Sequence, residues 1–564
     1  MNLILPSLAL VVGTAQSTKI PPTSEWNTLN KTVGGRLFTA KPFASPCFSD
    51  FAGLPAASNE AECNTVQENY LNTTFRSSQF NNFMIPIWES CMDTDQQCAL
   101  DSSDPSNPLA FSDLPCYQGS VAPYHIEIET FTDVQAAFNF SKATGVPLSI
   151  KNSGHDYLGR SGIPGSLALW TRHLEQISYN ASFIPEGGSH SFPAMTIGAG
   201  VPWQDAYSFA DANNVTIVGG YDQTVGASGG WVMGGGHSDL SPVFGLGVDR
   251  VLQFKLVTPD GVYRTANAYT NSDLFWALRG GGGGTFGVVL ESTTLVEPTT
   301  IPLQVASVSF DATGTNSSVD FLQLLTENSL GWAQAGWGSH MTLSGLVSIN
   351  PLLTLDQARE SMQNITEYVQ SQNGSVVIET LPSWYAFFVK YVIPSQSPIG
   401  IDGAIATRLI PASVFETQKG RNSLVEVISN AAPFLLTISA VTPFLFNYTE
   451  NSTSVTPAWR DSLWHVVLGD LWSWNTTTEG TITAFETLNN LTAALTDIAP
   501  NSGAYMNEAN VYEPNYEQTF WGSNYPRLLA VKQKYDPEGL LDCWRCVGWK
   551  GENDSRSQCY LKVD

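Results

Sequence analysis

A histidine lies inside a glycine-containing turn that directly follows a short apolar segment. The turn reads Lys151-Asn152-Ser153-Gly154-His155-Asp156-Tyr157-Leu158-Gly159-Arg160-Ser161-Gly162, and the apolar segment 146–150 before it predicts a buried strand. Glycine lets the backbone approach a ligand closely, and a turn rich in free N–H groups can bind a pyrophosphate. We therefore expect His155 to lie beside a phosphate-containing ligand.

Two further glycine-rich stretches follow this turn. Residues 219–238 include Thr224-Val225-Gly226, Gly229 and Gly234-Gly235-Gly236-His237, and residues 280–287 include Gly282-x-Gly284-x-x-Gly287 before Val289. The last pattern formally fits a nicotinamide-dinucleotide fingerprint, which should follow a strand and open a helix. Here it follows a predicted helix, 273–279, and precedes a predicted strand, 288–294. We therefore reject the nicotinamide interpretation.

The three stretches, in this order, resemble the FAD-binding domain of the vanillyl-alcohol oxidase and p-cresol methylhydroxylase superfamily. The berberine-bridge-enzyme-like branch is the nearest match within it, and secreted fungal isoamyl alcohol oxidase-like proteins are nearer still. The resemblance covers residues 123–298 and resumes at 505–541. Each motif alone is weakly specific, whereas all of them in the family's order are highly specific.

The resemblance implies an FAD that is covalently bound through His155, because Ser-Gly-His-Asp-x-x-Gly matches the motif that carries the 8α-histidyl flavin. A second, cysteinyl link is not expected, since Asp222-Gln223 precede Thr224 and no cysteine lies nearby. His237 could touch the flavin region or only satisfy a loop carbonyl. The cofactor-binding residues implied are Asn152, Ser153, Gly154, His155, Asp156, Gly159, Thr224, Val225, Gly226, Gly229, Gly236, His237, Val289 and Asn507.

The candidate catalytic residues lie in Tyr505-Met506-Asn507-Glu508, where the family places an active-site tyrosine and an asparagine. Plant-like members have a second tyrosine where this chain has Glu508. Either Tyr505 or Glu508 could remove the proton of a substrate hydroxyl, if its pKa is close to the working pH. Alternatively, Tyr505 only packs, and Glu508 caps a helix or pairs with Lys532 or Arg527.

Other chemical groups give weaker signals. The histidines without a partner pattern are interpreted as structural: His125, His173, His190, His340 and His465. No HExxH or similar cluster is present, so metal catalysis is not expected. An aromatic group could line the substrate pocket or simply belong to the core: Trp384, Tyr385, Phe387, Phe388 and Tyr391.

Composition describes a folded, acidic protein. The 564 residues are 43% hydrophobic, and 51 acidic residues oppose 26 basic ones, which gives a net charge of -25. Such a charge argues against binding to nucleic acid or to anionic membranes. We expect a small-molecule substrate and dioxygen as partners, and a monomer.

The chain begins as a secreted protein would. Residues 3–12 are apolar and precede a plausible cleavage site, so residues 1–17 are predicted to be a signal peptide. Thirteen Asn-x-Ser/Thr sequons support N-linked glycans and an extracellular location: Asn30, Asn72, Asn139, Asn180, Asn214, Asn316, Asn364, Asn373, Asn447, Asn451, Asn475, Asn490 and Asn553. No segment is predicted to span a membrane.

The eight cysteines form an N-terminal group of five and a C-terminal group of three. Both numbers are odd, so complete pairing within the chain requires at least one disulfide between the two groups. Cys543-Trp544-Arg545-Cys546 could instead be half of a zinc site or a redox pair, although no second CxxC and no nearby histidine support zinc.

A length of 564 residues predicts more than one domain. We expect an irregular, disulfide-braced extension (18–117), an FAD-binding domain (118–299), a substrate domain (300–500) and a C-terminal return to the FAD domain (501–564). Thr132 is the predicted cap of a helix at 133–140. With the resemblance, we expect the fold class α+β: a two-subdomain FAD-binding domain of the p-cresol methylhydroxylase type plus an α+β substrate domain whose sheet is covered by helices.

Three functions are compatible with these features. The first is a secreted oxidase that passes a hydride from an alcohol, or a related C–H or C–N substrate, to the flavin, with hydrogen peroxide as product. The second is a tailoring oxidase of natural-product biosynthesis, performing a dehydrogenation or an oxidative cyclisation. The third is a glycosylated, secreted scaffold without catalysis, which the intact glycine motifs argue against.

Overall fold

The computed structural model describes residues 21–312, 316–396 and 399–563. The predicted signal peptide lies outside the described residues. In the described part, two β-sheets carry the glycine-rich loops and a third, larger sheet faces them. This arrangement confirms the predicted α+β class.

The first sheet has four strands, which contain the apolar segment before the His155 turn. Its strands are parallel except at one edge, and in spatial order they are Leu37–Thr39, Tyr124–Glu127, Leu167–Trp170 and Leu148–Lys151. The helix Phe131–Thr144 crosses from the second of these strands to the last. Its N-cap is Thr130 rather than the predicted Thr132, because the Asp133 carboxylate accepts the Thr130 N–H at 2.9 Å.

The second sheet is antiparallel and has five strands. In spatial order they are Tyr263–Asn267, Val251–Val257, Val288–Leu295, Phe192–Gly198 and Ile177–Phe183. Two helices lie near the edges of this sheet. The helix Trp203–Ala212 packs in the same core as two of its strands, and the helix Ser272–Leu278 precedes the third glycine-rich stretch. Short helices complete this half: Gly230–Gly234, Ser241–Phe244 and Gly247–Arg250.

The third sheet is antiparallel and has seven strands. In spatial order they are Ser375–Leu381, Leu303–Ser309, Gly345–Asn350, Gly338–Thr342, Leu435–Ala440, Ser462–Trp472 and Asp402–Pro411. One face packs its apolar side chains against helices, as predicted: Ser317–Ala335, Leu355–Ser361, Gln363–Ser371, Gln418–Asn430 and Thr478–Ile498. The other face looks towards the glycine loops. The helices Trp384–Phe387, Ala412–Phe415 and Ala458–Asp461 lie in its connections.

The segment before residue 118 is more regular than the sequence predicts. Its helices are Thr23–Thr32, Glu60–Glu68 and Thr73–Ser77, and its small sheet comprises Leu54–Pro55, Asp50–Phe51 and Pro115–Cys116. Trp26 stacks on Tyr124 with ring centroids 4.1 Å apart, and Leu37–Thr39 is an edge strand of the first sheet. Residues 23–39 therefore pack with the FAD-binding half, since aromatic packing outweighs their weak periodicity.

Four disulfides include the expected link between the two cysteine groups. Cys91 pairs with Cys559 across 468 residues, and the other pairs are Cys47–Cys63, Cys98–Cys116 and Cys543–Cys546. The helices Tyr516–Trp521 and Tyr525–Tyr535 bring the C-terminal segment back to the FAD-binding half. Across the described residues, no helix is both long and apolar enough to cross a bilayer.

Candidate functional site

A cavity of about 760 Å³ separates the glycine-rich loops from the inner face of the seven-stranded sheet. We call the glycine-rich loops (residues 152–160, 220–237 and 280–289) the floor, and the cavity-facing side of the seven-stranded sheet the roof. The C-terminal residues 505–508 form one wall. This volume is within the range of small-molecule and cofactor sites.

The His155 turn is anchored by side-chain hydrogen bonds, and its backbone N–H groups are left without partners. Lys151, at the end of the preceding strand, is buried and donates to the carbonyls of Phe80 and Asn82. Asp156 accepts the Ser161 N–H at 2.6 Å, which closes the turn. The backbone N–H groups of residues 153–157 donate to no acceptor within the described parts of the chain. A row of five such donors beside a cavity suits a pyrophosphate.

His155 is held through one ring nitrogen. Its Nε2 lies 2.6 Å from the Thr224 hydroxyl and 3.3 Å from Oδ1 of Asp222. Burial alone would raise the pKa of Asp222, but the charge of His155 and hydrogen bonds from His155 and Thr224 lower it. Nε2 is therefore the ring nitrogen that these two side chains hold, and Nδ1 has no hydrogen-bond partner in the described residues.

The other floor loops need glycine because they approach neighbouring groups closely. A Cβ at Gly226 would lie 2.3 Å from Oδ1 of Asn152, and one at Gly234 would lie 2.3 Å from Oδ1 of Asn507. Gly284 has φ of +71° and, together with Val289, lines the cavity in the third loop. With the free N–H groups of the first turn, these loops form a donor-rich, side-chain-poor surface that fits FAD.

Most of the predicted cofactor residues line the cavity, and three do not. Gly159 has φ of +69° and packs on Trp88, and Thr224 acts through His155. Gly236 donates its N–H to the Tyr505 hydroxyl at 3.3 Å. The predicted residues that line the cavity are Asn152, Ser153, Gly154, His155, Asp156, Val225, Gly226, Gly229, His237, Val289, Tyr505, Asn507 and Glu508.

Glu508 lies at the centre of the wall, between two histidines. His237 Nε2 is 3.0 Å from Oε1 of Glu508, and His465 Nδ1 is 3.7 Å from Oε2. Burial alone would raise the pKa of Glu508, but His237 above all, and then His465 and His340, lower it to about 2. Glu508 is therefore a carboxylate with a side chain that is 26% exposed. Neither Lys532 nor Arg527 pairs with it, so that alternative is wrong: Lys532 pairs with Asp536, and Arg527 lies over Trp276.

Tyr505 has a different environment. Its side chain is buried, and its hydroxyl accepts the Nδ2–H of Asn507 at 2.7 Å as well as the N–H of Gly236. Burial, and then the charge of Glu508, raise the pKa of Tyr505 far above its ordinary value. Tyr505 is therefore a neutral phenol at any working pH, and it fixes the glycine loop next to His237.

His340 and His465, which the sequence predicts to be structural, lie at this site. His340 lines the cavity and pairs with Asp239, with Nε2 and Oδ1 3.0 Å apart, and His465 is fully buried beside Glu508. Burial lowers the pKa of His465 to about 3, so its ring is neutral. Each histidine lies alone on a strand, and no local motif could have identified it.

His237, His465 and Glu508 also resemble a metal-binding set, since their ligand atoms all lie within 4.8 Å of one another. A metal-bound histidine usually donates its second ring N–H to an acceptor. Nε2 of His465 is buried without any partner among the described residues. This cluster therefore lacks the outer acceptor that a metal-bound histidine usually has.

The remaining predicted groups belong to the framework. The aromatic group packs in the core that also contains Trp203 and does not line the cavity: Trp384, Tyr385, Phe387, Phe388 and Tyr391.

Comparisons with known proteins agree with this geometry. The family model "FAD binding domain" matches residues 122–267, and the model "Berberine and berberine like" matches residues 504–542. FAD-linked oxidoreductase OXR2 of Pyricularia oryzae is 43% identical over 555 residues, covering 96% of this chain and 95% of its own. FAD-linked oxidoreductase cheF of Chaetomium globosum is 42% identical over 545 residues, with coverage of 94% and 86%.

Solved structures give the same fold. The VAO-type flavoprotein MtVAO713 of Myceliophthora thermophila C1 superposes with a TM-score of 0.82 at 25% identity, covering 95% of this chain and 96% of its own. Glucooligosaccharide oxidase of Acremonium strictum, which carries a 6-S-cysteinyl, 8α-N1-histidyl FAD, has a TM-score of 0.61 at 21% identity, with coverage of 75% and 91%.

Proposed function

Since the chain belongs to the FAD-linked oxidoreductases of the vanillyl-alcohol oxidase family, in the berberine-bridge-enzyme-like branch, we propose that it is an alcohol oxidase. It removes a hydride from an alcohol, or from a related C–H or C–N substrate, and uses dioxygen as acceptor with hydrogen peroxide as product. Bound FAD supplies the hydride acceptor. The observation that carries this proposal is an ionised carboxylate, Glu508, in the wall of the FAD cavity.

Glu508 is the proposed base. Its pKa of about 2 lies well below the working pH, so it is a weak base, but it is ionised and partly exposed to the cavity, whereas Tyr505 is a buried, neutral phenol. The substrate hydroxyl would give its proton to a carboxylate oxygen of Glu508, and His237 at 3.0 Å would keep that oxygen oriented. Tyr505 and Asn507 are positioning residues, because their hydrogen bonds fix the loop that carries His237.

His155 is the proposed covalent attachment point. Thr224 and Asp222 hold Nε2, so Nδ1 is the ring nitrogen left to form the bond to the flavin. Among the described residues that line the cavity, the one cysteine, Cys543, is in a disulfide with Cys546, which supports a single link. The roles of the other floor residues as cofactor contacts are part of the same proposal.

Secretion with N-linked glycans, a monomeric state and the division into domains at residues 117, 299 and 500 also remain proposals. Four disulfides suit an oxidising compartment. Twelve of the thirteen sequon asparagines are exposed, and Asn30 is half-buried, so glycans would find access.

A tailoring oxidase that performs a dehydrogenation or an oxidative cyclisation is the second candidate. The same base and the same cofactor would serve it. The aliphatic side chains of the roof favour it, because they could enclose a bulky apolar molecule: Leu346, Val347, Ile405, Leu436, Val467 and Leu471.

The visible spectrum of the purified, secreted protein before and after acid precipitation tests the proposal. We expect a yellow protein with its flavin in the precipitate, on a peptide that contains His155, and peroxide production in a screen of alcohols. Flavin released to the supernatant would contradict the covalent link. A protein that stays colourless with ample riboflavin would contradict the oxidoreductase function and favour the scaffold.

A further inference from the structure

The two sides of the roof differ in the side chains that they present to the cavity. On one side, three serine hydroxyls line the cavity without a hydrogen-bond partner among the described residues: Ser307, Ser309 and Ser344. On the other side, the cavity-lining residues of the strands Ser462–Trp472 and Asp402–Pro411 are all aliphatic or glycine: Gly403, Ala404, Ile405, Val467 and Leu471. A ligand under the roof therefore meets hydroxyls on one side and hydrocarbon on the other.

Two large apolar side chains on the aliphatic side are exposed. Leu436 is 43% exposed and Leu471 is 50% exposed, and both line the cavity. A Cβ at Gly403, which is opposite Leu471, would lie 2.5 Å from Cδ2 of Leu471, and a Cβ at Gly469 would overlap Cδ1 of Leu436. Each leucine therefore lies flat over a glycine of the next strand. Since Gly469 and Leu471 share one face of their strand, the two leucines are neighbours.

We call Leu436 and Leu471, with the glycines beneath them, the leucine surface. It exists without a ligand, because the glycines leave the space in which the two side chains lie. A single exposed leucine on a protein surface needs no explanation, but neighbouring exposed apolar side chains inside a cavity are typical of a binding site for an apolar group. The leucine surface is therefore suited to hydrocarbon.

The register of the sheet places the leucine surface between the proposed base and the solvent. His465 is fully buried, lies 3.7 Å from the proposed base and is opposite Ser439 on the neighbouring strand. From this pair, both strands run in the same direction to the leucines. Leu436 is three residues from Ser439, or about 10 Å, and Leu471 is six residues from His465, or about 20 Å.

We propose that the leucine surface binds an aliphatic segment of the substrate, which extends about 10–20 Å from the reacting carbon towards the solvent. The substrate class is an alcohol with a long hydrocarbon part, whose other polar groups face the serine side of the roof. The inference rests on the proposed function, since it assumes that the reacting carbon lies beside Glu508.

Binding of three unreactive ketones to the flavin-loaded enzyme tests this inference: 2-butanone, 2-octanone and 2-dodecanone. Shifts of the flavin absorption spectrum during titration measure each dissociation constant, whether or not the protein oxidises alcohols. Each methylene that leaves water for an apolar surface tightens binding by about two- to fourfold. We therefore expect binding to become tighter by at least about tenfold at each step of the series.

The double variant Leu436→Ser with Leu471→Ser removes the hydrocarbon of the leucine surface. We expect 2-butanone to bind unchanged, because it is too short to reach either position, and most of the gain from 2-octanone to 2-dodecanone to be lost. Leu445→Ser is the matched control, since Leu445 is 40% exposed and lies outside the residues that line the cavity. It should bind all three ketones as the unchanged protein does.

Three results would overturn the inference: the same gain with chain length in the double variant as in the unchanged protein, no gain in the unchanged protein, or an equal loss of the gain in Leu445→Ser. Oxidation of alcohols without a gain in binding would leave the proposed function intact and overturn the leucine surface alone. Conversely, chain-length-dependent binding by a protein that oxidises no alcohol would support the leucine surface and refute the proposed oxidase.

Discussion

The floor and the roof of the cavity offer hydrogen bonds by different means. The floor uses backbone N–H groups of consecutive residues, such as 153–157, and glycines that keep side chains out of the way. The roof uses isolated side chains, such as His340 and Ser439, which come from different strands. A backbone-built surface suits a cofactor that never changes, whereas a side-chain-built surface can change its specificity through single substitutions.

The largest expected effect is the loss of covalent flavin when His155, a floor residue, is replaced. In His155→Ala, we expect no flavin to remain bound after acid precipitation, because the only proposed attachment atom is gone. Flavin fluorescence of the precipitate measures this, and His190→Ala, at an exposed loop position, is the control. Covalent flavin in His155→Ala would show that another residue forms the bond.

The next largest effect is a slower reaction when Glu508, in the wall between the floor and the roof, is replaced. In Glu508→Gln, we expect the covalent flavin content to be unchanged and the rate of flavin bleaching by substrate to fall by about 10²–10⁴-fold, since the general base is lost. Stopped-flow absorbance measures the rate. Glu517→Gln, an exposed acid, is the control. A larger loss in Tyr505→Phe than in Glu508→Gln would make Tyr505 the base.

A disulfide between distant parts of the chain also stabilises the half of the protein that carries the floor. Cys91–Cys559 closes a far longer loop than Cys47–Cys63, with separations of 468 and 16 residues. In Cys91→Ser with Cys559→Ser, we expect the free energy of unfolding to fall by about 2–5 kcal/mol, more than in the Cys47–Cys63 double variant. Urea denaturation followed by tryptophan fluorescence tests this order, and the reverse order would contradict it.

The pH dependence of the reaction rate tests whether His237 lowers the pKa of Glu508. The pKa of Glu508 is lowered to about 2, so the base is ionised above that pH and is lost only as the pH falls through it. In His237→Gln, the main lowering influence disappears, and the acid limb of the rate should move up by about two pH units. Rapid pH-jump measurements of flavin bleaching test this. An unmoved acid limb would contradict the coupling.

The smallest expected effect is slower flavin attachment when Thr224, a floor residue, is replaced. In Thr224→Val, His155 loses the hydroxyl that lies 2.6 Å from Nε2 and keeps Asp222. We expect flavin attachment to be slower by about tenfold, as for the loss of one hydrogen bond, but still to reach completion. A time course of covalent flavin in apoprotein incubated with FAD measures it, with Thr483→Val on an exposed helix as control.

The parts of the site that could be predicted from sequence are those made by neighbouring residues. The His155 turn, the two later glycine stretches and the Tyr505–Glu508 segment are short motifs, and most of their residues line one cavity. The bond between the two cysteine groups also followed from counting, because five and three are odd. The choice between Tyr505 and Glu508 as the proposed base could not be predicted from the sequence. It depends on the burial of each side chain and on His237, which is 271 residues away from Glu508.

The sequence by itself determined the FAD-linked oxidoreductase family, the α+β class and the glycine-built floor, because local turns and periodic segments encode them within a few residues. Only the tertiary structure decided that His340 and His465 belong to the site. Each lies on its own strand, and the register of the seven-stranded sheet, whose far face packs against helices, brings His465 beside Glu508 and His340 into the lining of the cavity.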